Sequence, residues 1–154
     1  MTQEDKKLLL QDLCARLPYG VKCTTKSSWN GIYTIEGYKD NMFFLDCPIY
    51  DEGDDEWMIE FIVPYLRPMS SMTKKETKEL FKEIGFEFTC NTCGIPAHYT
   101  YEFAEQIKGI PTITNVEFIK VIDWLNAHHF DYRGLIEREL AIVVTKENNP
   151  YENI

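Results

Sequence analysis

Val21-Lys22-Cys23-Thr24-Thr25-Lys26 alternates two sets of side chains, with Val21, Cys23 and Thr25 in one set and Lys22, Thr24 and Lys26 in the other. This pattern is typical of a β-strand with one face against a core. Three further stretches of strand character follow, at residues 32–38, 42–46 and 57–63, with the short turn 39–41 between the first two of them. Successive strands with short connections favour an antiparallel meander, which could curl into a small, partly open barrel.

Helical patterns flank this β region. Thr2 and Asp5 fit a capping pattern at the start of the first helix, and capping-box patterns at residues 73–76 and 114–117 start two later helices. A shorter helix is predicted over residues 99–107. The chain is therefore predicted to be a single α+β domain over residues 1–154, with an N-terminal helix, the antiparallel meander and a helical C-terminal half, and with a joint at residues 68–73.

Helical spacing also predicts which side chains of these helices are buried. The apolar stripe of the first helix, including a buried cysteine, is predicted to be Leu10, Leu13, Cys14 and Leu17. The helix that starts near residue 114 is predicted to have its inner side at Phe118, Ile119, Ile122 and Leu125. Cys23 lies on the apolar face of its predicted strand, so we expect it to be buried as well.

The charge of the chain restricts its partners. The chain has 154 residues and a net charge of -9. An acidic protein surface repels phosphate backbones and anionic lipids. We therefore expect no generic nucleic-acid binding and no membrane binding. The first seven residues lack an apolar signal region, which predicts a cytoplasmic protein with reduced thiols. Aromatic residues make up 14% of the chain, enough to serve an interface as well as a core.

Cys90 and Cys93, followed by His98, are candidate metal ligands. A closed structural zinc site needs four ligands, and this group offers three. Cys47, His128 or His129 could complete the site only if the fold brings one of them close. Gly94 and Pro96 interrupt the helix that a redox Cys-x-x-Cys motif requires. We favour a tight turn without a metal, keep a zinc site as the alternative, and place a cysteine-dependent enzyme third.

Two other polar groups have ordinary interpretations. Residues 51–56 hold five carboxylates, but their spacing does not match a calcium loop, so we expect a solvated hairpin loop. His128 and His129 end a predicted helix, where cationic imidazoles would complement the helix dipole.

The segment 64–68 is the predicted joint between the two halves. Pro64 and Pro68 lack N–H donors, which predicts an irregular crossing rather than a paired strand. Tyr65 and Leu66 must then either pack between the halves or offer an anchor to a partner, and we favour packing.

Lys74, Lys78 and Lys82 recur at spacing four and form a basic stripe on the predicted second helix. Glutamates interleave with this stripe, so it is interpreted as a solvated face with i,i+4 pairing. The functional alternative is a docking face for an acidic partner.

Three stretches of the chain carry a resemblance to known proteins: Asp12–Lys22, Pro64–Thr73 and Asp123–Ile136. In this order they resemble a widespread uncharacterised family of small proteins from gut Bacteroidetes and their phages and prophages. The resemblance covers about a quarter of the chain. It implies a bacterial or phage intracellular setting, and it implies no activity, cofactor or catalytic residue.

These observations favour a non-enzymatic accessory protein that acts by binding a protein partner. They leave the partner and the oligomeric state open. They also name possible partner-binding residues, which are Tyr65, Lys74, Lys78 and Lys82.

The incomplete ligand set at Cys90, Cys93 and His98 gives a testable prediction. We expect the purified protein to carry less than one zinc per chain and to keep its melting temperature in excess chelator, because a structural zinc contributes directly to folding. Elemental analysis and thermal unfolding measure both quantities. Stoichiometric zinc that is lost together with the fold would favour the zinc alternative.

Overall fold

The computed structural model describes residues 1–26, 31–46, 56–83 and 115–151, with side chains in the last range described from residue 118. These residues form an N-terminal helix, a mixed sheet of six strands and two later helices. The predicted α+β class is confirmed. The strand order runs from one edge to the other without closing, so the sheet is open and does not form the barrel that the sequence allowed.

Helix α1 spans Gln3–Arg16 and begins as the sequence predicts. The backbone N–H of Asp5 donates to the Thr2 hydroxyl at 3.1 Å, and the Thr2 N–H donates to the Asp5 carboxylate at 3.0 Å. This capping box satisfies two N–H groups that the helix itself leaves unpaired. Hydrogen bonds from the Thr2 backbone N–H and the Thr2 hydroxyl to the Asp5 carboxylate lower the pKa of Asp5.

The buried side of α1 differs from the prediction. Its fully buried residues are Leu9, Asp12, Leu13 and Arg16, while Cys14 is exposed. The prediction of a buried Cys14 is therefore wrong. A charged pair, Asp12 and Arg16, occupies inner positions that the apolar pattern alone does not identify, and the buried stripe is rotated around the helix accordingly.

The strands of the sheet lie in the order β4-β3-β2-β1-β5-β6. They are β1 Lys22–Thr25, β2 Tyr33–Lys39, β3 Met42–Leu45, β4 Glu56–Met58, β5 Ile62–Leu66 and β6 Ile142–Val143. The predicted antiparallel meander is β1 to β4. β5 adds antiparallel to β1, and β6 adds parallel to β5.

The predicted strand over residues 57–63 is two strands in the structure. A 3-10 turn at Ile59–Phe61 separates β4, which pairs with β3, from β5, which pairs with β1. The apolar pattern continues through this turn, so it did not reveal that the chain changes neighbours there.

The prediction that Pro64 prevents a paired strand is wrong. Lys26 N–H donates to the Phe61 carbonyl at 2.7 Å, and hydrogen-bonded pairs alternate along an antiparallel ladder, so the Pro64 nitrogen faces away from β1. On its other side, pairing with β6 starts only at Tyr65. The missing N–H of Pro64 therefore removes no bond of the ladder.

The chain divides into two compact units: Met1–Pro68 with Asn126–Ile154, and Met69–Leu125. In the first unit, buried side chains from α1, one face of the sheet and residues 135–140 form one cluster. Cys23 is fully buried in it, as the sequence predicts. The cluster contains Leu9, Leu13, Val21, Cys23, Tyr33, Ile35, Phe43, Leu45, Ile62, Leu66, Leu135 and Leu140.

The second unit contains α2 (Lys74–Glu83) and most of α3 (Asn115–Ala127). The predicted capping box of α2 is confirmed, since Thr73 N–H donates to the Glu76 carboxylate at 2.7 Å and Glu76 N–H donates to the Thr73 hydroxyl at 3.2 Å.

The buried residues of α3 include Val121 and Leu125, whereas Phe118 and Ile119 are 48% and 57% exposed. The predicted inner position of these last two is wrong. Apolar residues occupy so much of this helix that their spacing does not select one face.

Within the described ranges, no helix combines the length and the apolar character needed to cross a membrane.

Side chains of β5 alternate between the two faces of the sheet, so truncating two adjacent side chains should lower the free energy of unfolding by different amounts. Leu66 is fully buried, so Leu66→Ala should lower the free energy of unfolding by about 2–5 kcal/mol. Tyr65 points to the other face of the sheet and is only half-buried, so Tyr65→Ala should cost less. Denaturant unfolding of both variants compares the losses, and equal losses would show that Tyr65 is packed like a core residue.

Candidate functional site

The first unit has a surface cleft of about 510 Å³ between the first half of α1, the β2–β3 hairpin and the turn after β4. We call it the Met42–Met58 cleft. Its apolar lining comes from all three elements: Leu10, Tyr38, Met42, Met58 and Ile59. Its polar lining is Gln3, Lys6, Lys7, Asn41 and Glu60.

Local structure explains how these residues come together. On α1, Gln3, Lys6, Lys7 and Leu10 share one face because they recur at spacings of three and four. The β2–β3 turn has positive φ angles at Asp40 (52°) and Asn41 (67°), as a tight two-residue hairpin requires, and it places Tyr38 and Met42 at the end of the sheet. Met58, in the edge strand β4, is 46% exposed.

The two sides of the cleft are joined by an ion pair. Lys6 Nζ lies 3.3 Å from Glu60 Oε1, and both side chains are about one-third exposed. A hydrogen bond from its own backbone N–H, together with the one from Lys6, lowers the pKa of Glu60. Lys7 is exposed and has no ion pair within the described residues. The cleft thus carries two cations and one anion in a chain whose net charge is -9.

Tyr38 and Asn41 hold the hairpin wall of the cleft in place. The Tyr38 hydroxyl donates to Asn41 Oδ1 at 3.0 Å, and the Tyr38 ring packs on Phe43 with 4.7 Å between ring centroids. The chemistry that this arrangement offers is an apolar recess with an exposed ammonium group at its rim. Such a recess can receive an apolar side chain that has an acidic neighbour.

A second polar group lies in the interior of the first unit. Asp12 and Arg16 are both fully buried, with Arg16 Nε 2.7 Å from Asp12 Oδ2 and Arg16 Nη2 3.0 Å from Asp12 Oδ1. Arg16 Nη2 also donates to the Phe130 carbonyl at 2.8 Å. Arg133 Nε lies 3.3 Å from the same Asp12 Oδ1. One buried carboxylate therefore links α1 to two points of the segment that follows α3.

Aromatic rings surround this pair of charges. The guanidinium groups of Arg16 and Arg133 lie 5.5 Å and 5.1 Å from the centroid of the Tyr132 ring. The Arg67 guanidinium lies 4.2 Å from the centroid of the Phe130 ring. These are cation–π distances, so the rings replace part of the water that the buried cations have lost.

His129 and Tyr151 stack next to this cluster, with 3.8 Å between ring centroids and 11° between planes. His129 has a φ of 58°, and its backbone N–H donates to the Asn126 carbonyl. This hydrogen bond closes the C-terminal end of α3. Burial and nearby cations, Arg16 foremost, lower the pKa of His129 to about 3. The prediction that His129 is a cationic helix cap is therefore wrong, because the imidazole is buried and neutral.

The buried nitrogens that lack a hydrogen-bond partner among the described residues include Arg16 Nη1 and His129 Nδ1 of this cluster. The part of the chain that the structure describes contains no group of three His, Cys, Asp or Glu that could hold a metal. The predicted metal ligands Cys90, Cys93 and His98 lie outside the described residues.

Burial raises the pKa of Cys23 to about 12, so this thiol is an inert core group.

The structure separates the predicted partner-binding residues. Tyr65 lies in β5 of the first unit, while Lys74, Lys78 and Lys82 lie exposed on α2 of the second. The i,i+4 ion pair of α2 joins Lys75 to Glu79 at 3.6 Å and involves none of the three stripe lysines. Glu76, predicted to interleave with the stripe, is buried in the capping box instead.

Sequence reasoning missed both the cleft and the buried cluster. The spacing of Asp12 and Arg16 was visible as a possible i,i+4 pair, but spacing does not show burial. The cluster draws on three separated stretches of the chain, through Asp12 and Arg16, through Arg67, and through residues 129–133.

No protein-family model, no curated protein and no solved structure shows significant similarity to this chain. The geometry of the chain itself therefore carries the functional argument.

The buried neutral His129 predicts a dependence of stability on pH. Its pKa is about 3 when folded and about 6.5 when unfolded, so the unfolded state binds the extra proton between these values. The free energy of unfolding should fall as pH decreases through this window, by at most about 1.4 kcal/mol per pH unit from this group. His129→Gln should give a shallower slope, measured by denaturant unfolding from pH 7 to pH 4.

A matched variant separates this effect from the titration of carboxylates. His128→Gln removes the neighbouring, half-exposed histidine but leaves the buried His129 imidazole in place, so its slope should stay steeper than that of His129→Gln. Equal slopes for His129→Gln and the wild type would show that His129 is not held neutral in the folded protein.

Proposed function

We propose that this protein is a non-enzymatic binding protein that takes up a protein partner at the Met42–Met58 cleft. The partner inserts one large apolar side chain, and a carboxylate beside that side chain pairs with Lys7. The observation that carries the proposal is the cleft itself, with its five apolar lining residues and its exposed lysine.

The size and lining of the cleft suit an anchor side chain. A volume of about 510 Å³ lies within the usual range of binding pockets, about 300–1,000 Å³. Met42 and Met58 stand on neighbouring strands in register with each other. Methionine side chains are flexible and polarizable, so they adapt to partners of different shape.

Charge supports an acidic partner segment at this place. The cleft has a local excess of one positive charge, whereas the whole chain has a net charge of -9. An acidic partner is therefore attracted to this cleft and repelled by much of the remaining surface, which favours one orientation of binding.

A binding role fits the polar chemistry of the described residues better than catalysis does. The strongly shifted groups, Cys23, His129 and Tyr151, are all buried, and none of them lines the cleft. The proposal also includes a bacterial or phage intracellular setting, which rests on the resemblance. It excludes generic nucleic acid, which rests on the net charge. The zinc-stabilised alternative depends on Cys90 and Cys93.

The stripe Lys74, Lys78 and Lys82 supports a second candidate surface. All three lysines are exposed, and none of them forms an ion pair within the described residues. This face would bind an acidic partner through charge alone, so its affinity would fall steeply with salt. Binding in the cleft would depend less on salt because it also buries apolar area.

A peptide-display selection tests the proposal and does not require that the natural partner be identified first. A library of random peptides is selected on the immobilised full chain. We expect enriched peptides to share one large apolar residue next to Asp or Glu. Met58→Asp should reduce their binding by at least about tenfold, the effect of roughly 1.4 kcal/mol, because it places a carboxylate where the anchor enters.

Ile32→Asp is the matched control, since Ile32 is 55% exposed and does not line the cleft. It should leave peptide binding unchanged. If the peptides bind Met58→Asp with the same affinity as the wild type but lose binding to Lys78→Glu, the basic stripe would be the binding surface. A selection that enriches no such peptide would contradict both surfaces.

A further inference from the structure

Strand β6 is an outer strand of the sheet in the described part of the chain. Its register pairs Val143 with Leu66, and Val144 N–H donates to the Leu66 carbonyl at 2.8 Å. In a parallel ladder the bonds to Leu66 come from the residues on either side of Val143, so the N–H and the carbonyl of Val143 itself point away from β5. A further strand would bond to these groups.

The side chain of Asn148 occupies part of this edge. Its amide nitrogen donates to the Val143 carbonyl at 3.0 Å, and its Oδ1 accepts from Thr145 N–H at 2.6 Å. In a parallel sheet, one residue of the neighbouring strand makes this same pair of bonds, donating to one residue and accepting from the residue two positions further on. A carboxamide can replace that residue because it carries both a donor and an acceptor. The side chain of Asn148 therefore stands where a further strand would begin.

Local contacts hold the carboxamide in place. The Thr145 hydroxyl donates to Asn148 Oδ1 at 3.3 Å and accepts from Glu147 N–H at 3.2 Å. Asn148 is half-exposed, and residues 145–147 are exposed. A substitution of Asn148 therefore changes the edge of β6 without removing a core side chain.

The sequence of this edge favours pairing with another strand. Ala141-Ile142-Val143-Val144-Thr145 has no charge, and four of its five residues are β-branched. Short uncharged segments of high β-propensity associate when they lie on the edge of a sheet. Val143 is 39% exposed, so the edge is open at its centre.

The edge is also complementary to itself. Because the N–H and the carbonyl of Val143 both point outward, two copies of the chain can place their β6 strands antiparallel about a two-fold axis at this residue. The two Val143 residues would then exchange both hydrogen bonds. The bond from Asn148 to the Val143 carbonyl occupies an acceptor that this pairing needs.

We propose that Asn148 is an edge cap that keeps β6 from pairing with β6 of a second copy of the chain. The contact is autoinhibitory, since it covers a segment whose composition and geometry suit pairing. It lies at the edge of the sheet opposite to β4, away from the Met42–Met58 cleft, so it is independent of the function proposed for the cleft.

Sedimentation velocity of the full chain over a range of concentrations tests the proposal. Asn148→Ala uncovers two edge groups in each copy, so its dimerisation should be at least about tenfold tighter than that of the wild type. Asn149→Ala is the matched control. Within the described residues, Asn149 Oδ1 accepts from Tyr151 N–H and bonds to no atom of β6, so this variant should associate like the wild type.

A second substitution shows whether the association uses this edge. In the two-fold pairing the Val143 side chains stand directly opposite each other, so Val143→Lys in the Asn148→Ala background brings two like charges together. The double variant should return to the association of the wild type.

Wild-type association of Asn148→Ala would overturn the proposal. Association of the double variant as tight as that of Asn148→Ala would also overturn it, because the contact would then lie elsewhere. If Asn148→Ala does not fold, Asn148→Leu, which has a similar shape and no carboxamide, takes its place with the same two outcomes.

Discussion

The buried ion pair between Asp12 and Arg16 is the interaction on which the first unit depends. Both side chains are completely excluded from solvent, and Arg16 also donates to the Phe130 carbonyl. Removing water from two charges costs several kcal/mol for each ion, so the pair persists only where geometry and further hydrogen bonds compensate. Here the bidentate contact, the Phe130 carbonyl and Arg133 provide that compensation.

This requirement connects distant parts of the chain. Loss of one member of a buried pair typically costs about 3–5 kcal/mol because the other charge is left unpaired. The pair therefore fixes the face that α1 presents to the sheet, and this face in turn places Lys6, Lys7 and Leu10 at the Met42–Met58 cleft. It also fixes residues 129–133 beside β5, where Arg67 N–H donates to the His129 carbonyl. The pair thus supports both the proposed binding surface and the segment 129–133 beside β5.

The two candidate regions differ in what they offer to a partner. The cleft is open, with an apolar lining and an exposed lysine at its rim. The cluster around Arg16 and His129 is closed, and its unpaired nitrogens lie beneath side chains of the same chain.

Tyr65 stays a possible partner-binding residue by prediction, and the structure shows a separate role for its backbone. Its carbonyl accepts from Tyr151, and its side chain lies on the face of β5 opposite the core. A residue in the proline-rich joint thus has a backbone role that no side-chain argument identifies. Pro64 shows the same effect, because its missing N–H matters only through the direction in which the nitrogen points.

The sequence by itself determined the α+β class, the antiparallel meander, the two capping boxes and the burial of Cys23. These depend on interactions within a few residues or on alternation along one strand, which a linear pattern records. The tertiary structure alone decided that Cys14 is exposed, that His129 is neutral and that residues 57–63 serve two strand neighbours. Each of these depends on residues far apart in the chain, which a linear pattern does not record. The neutral His129, for example, follows from its burial and from the nearby Arg16, because the free energy of a charge is set by its surroundings in space.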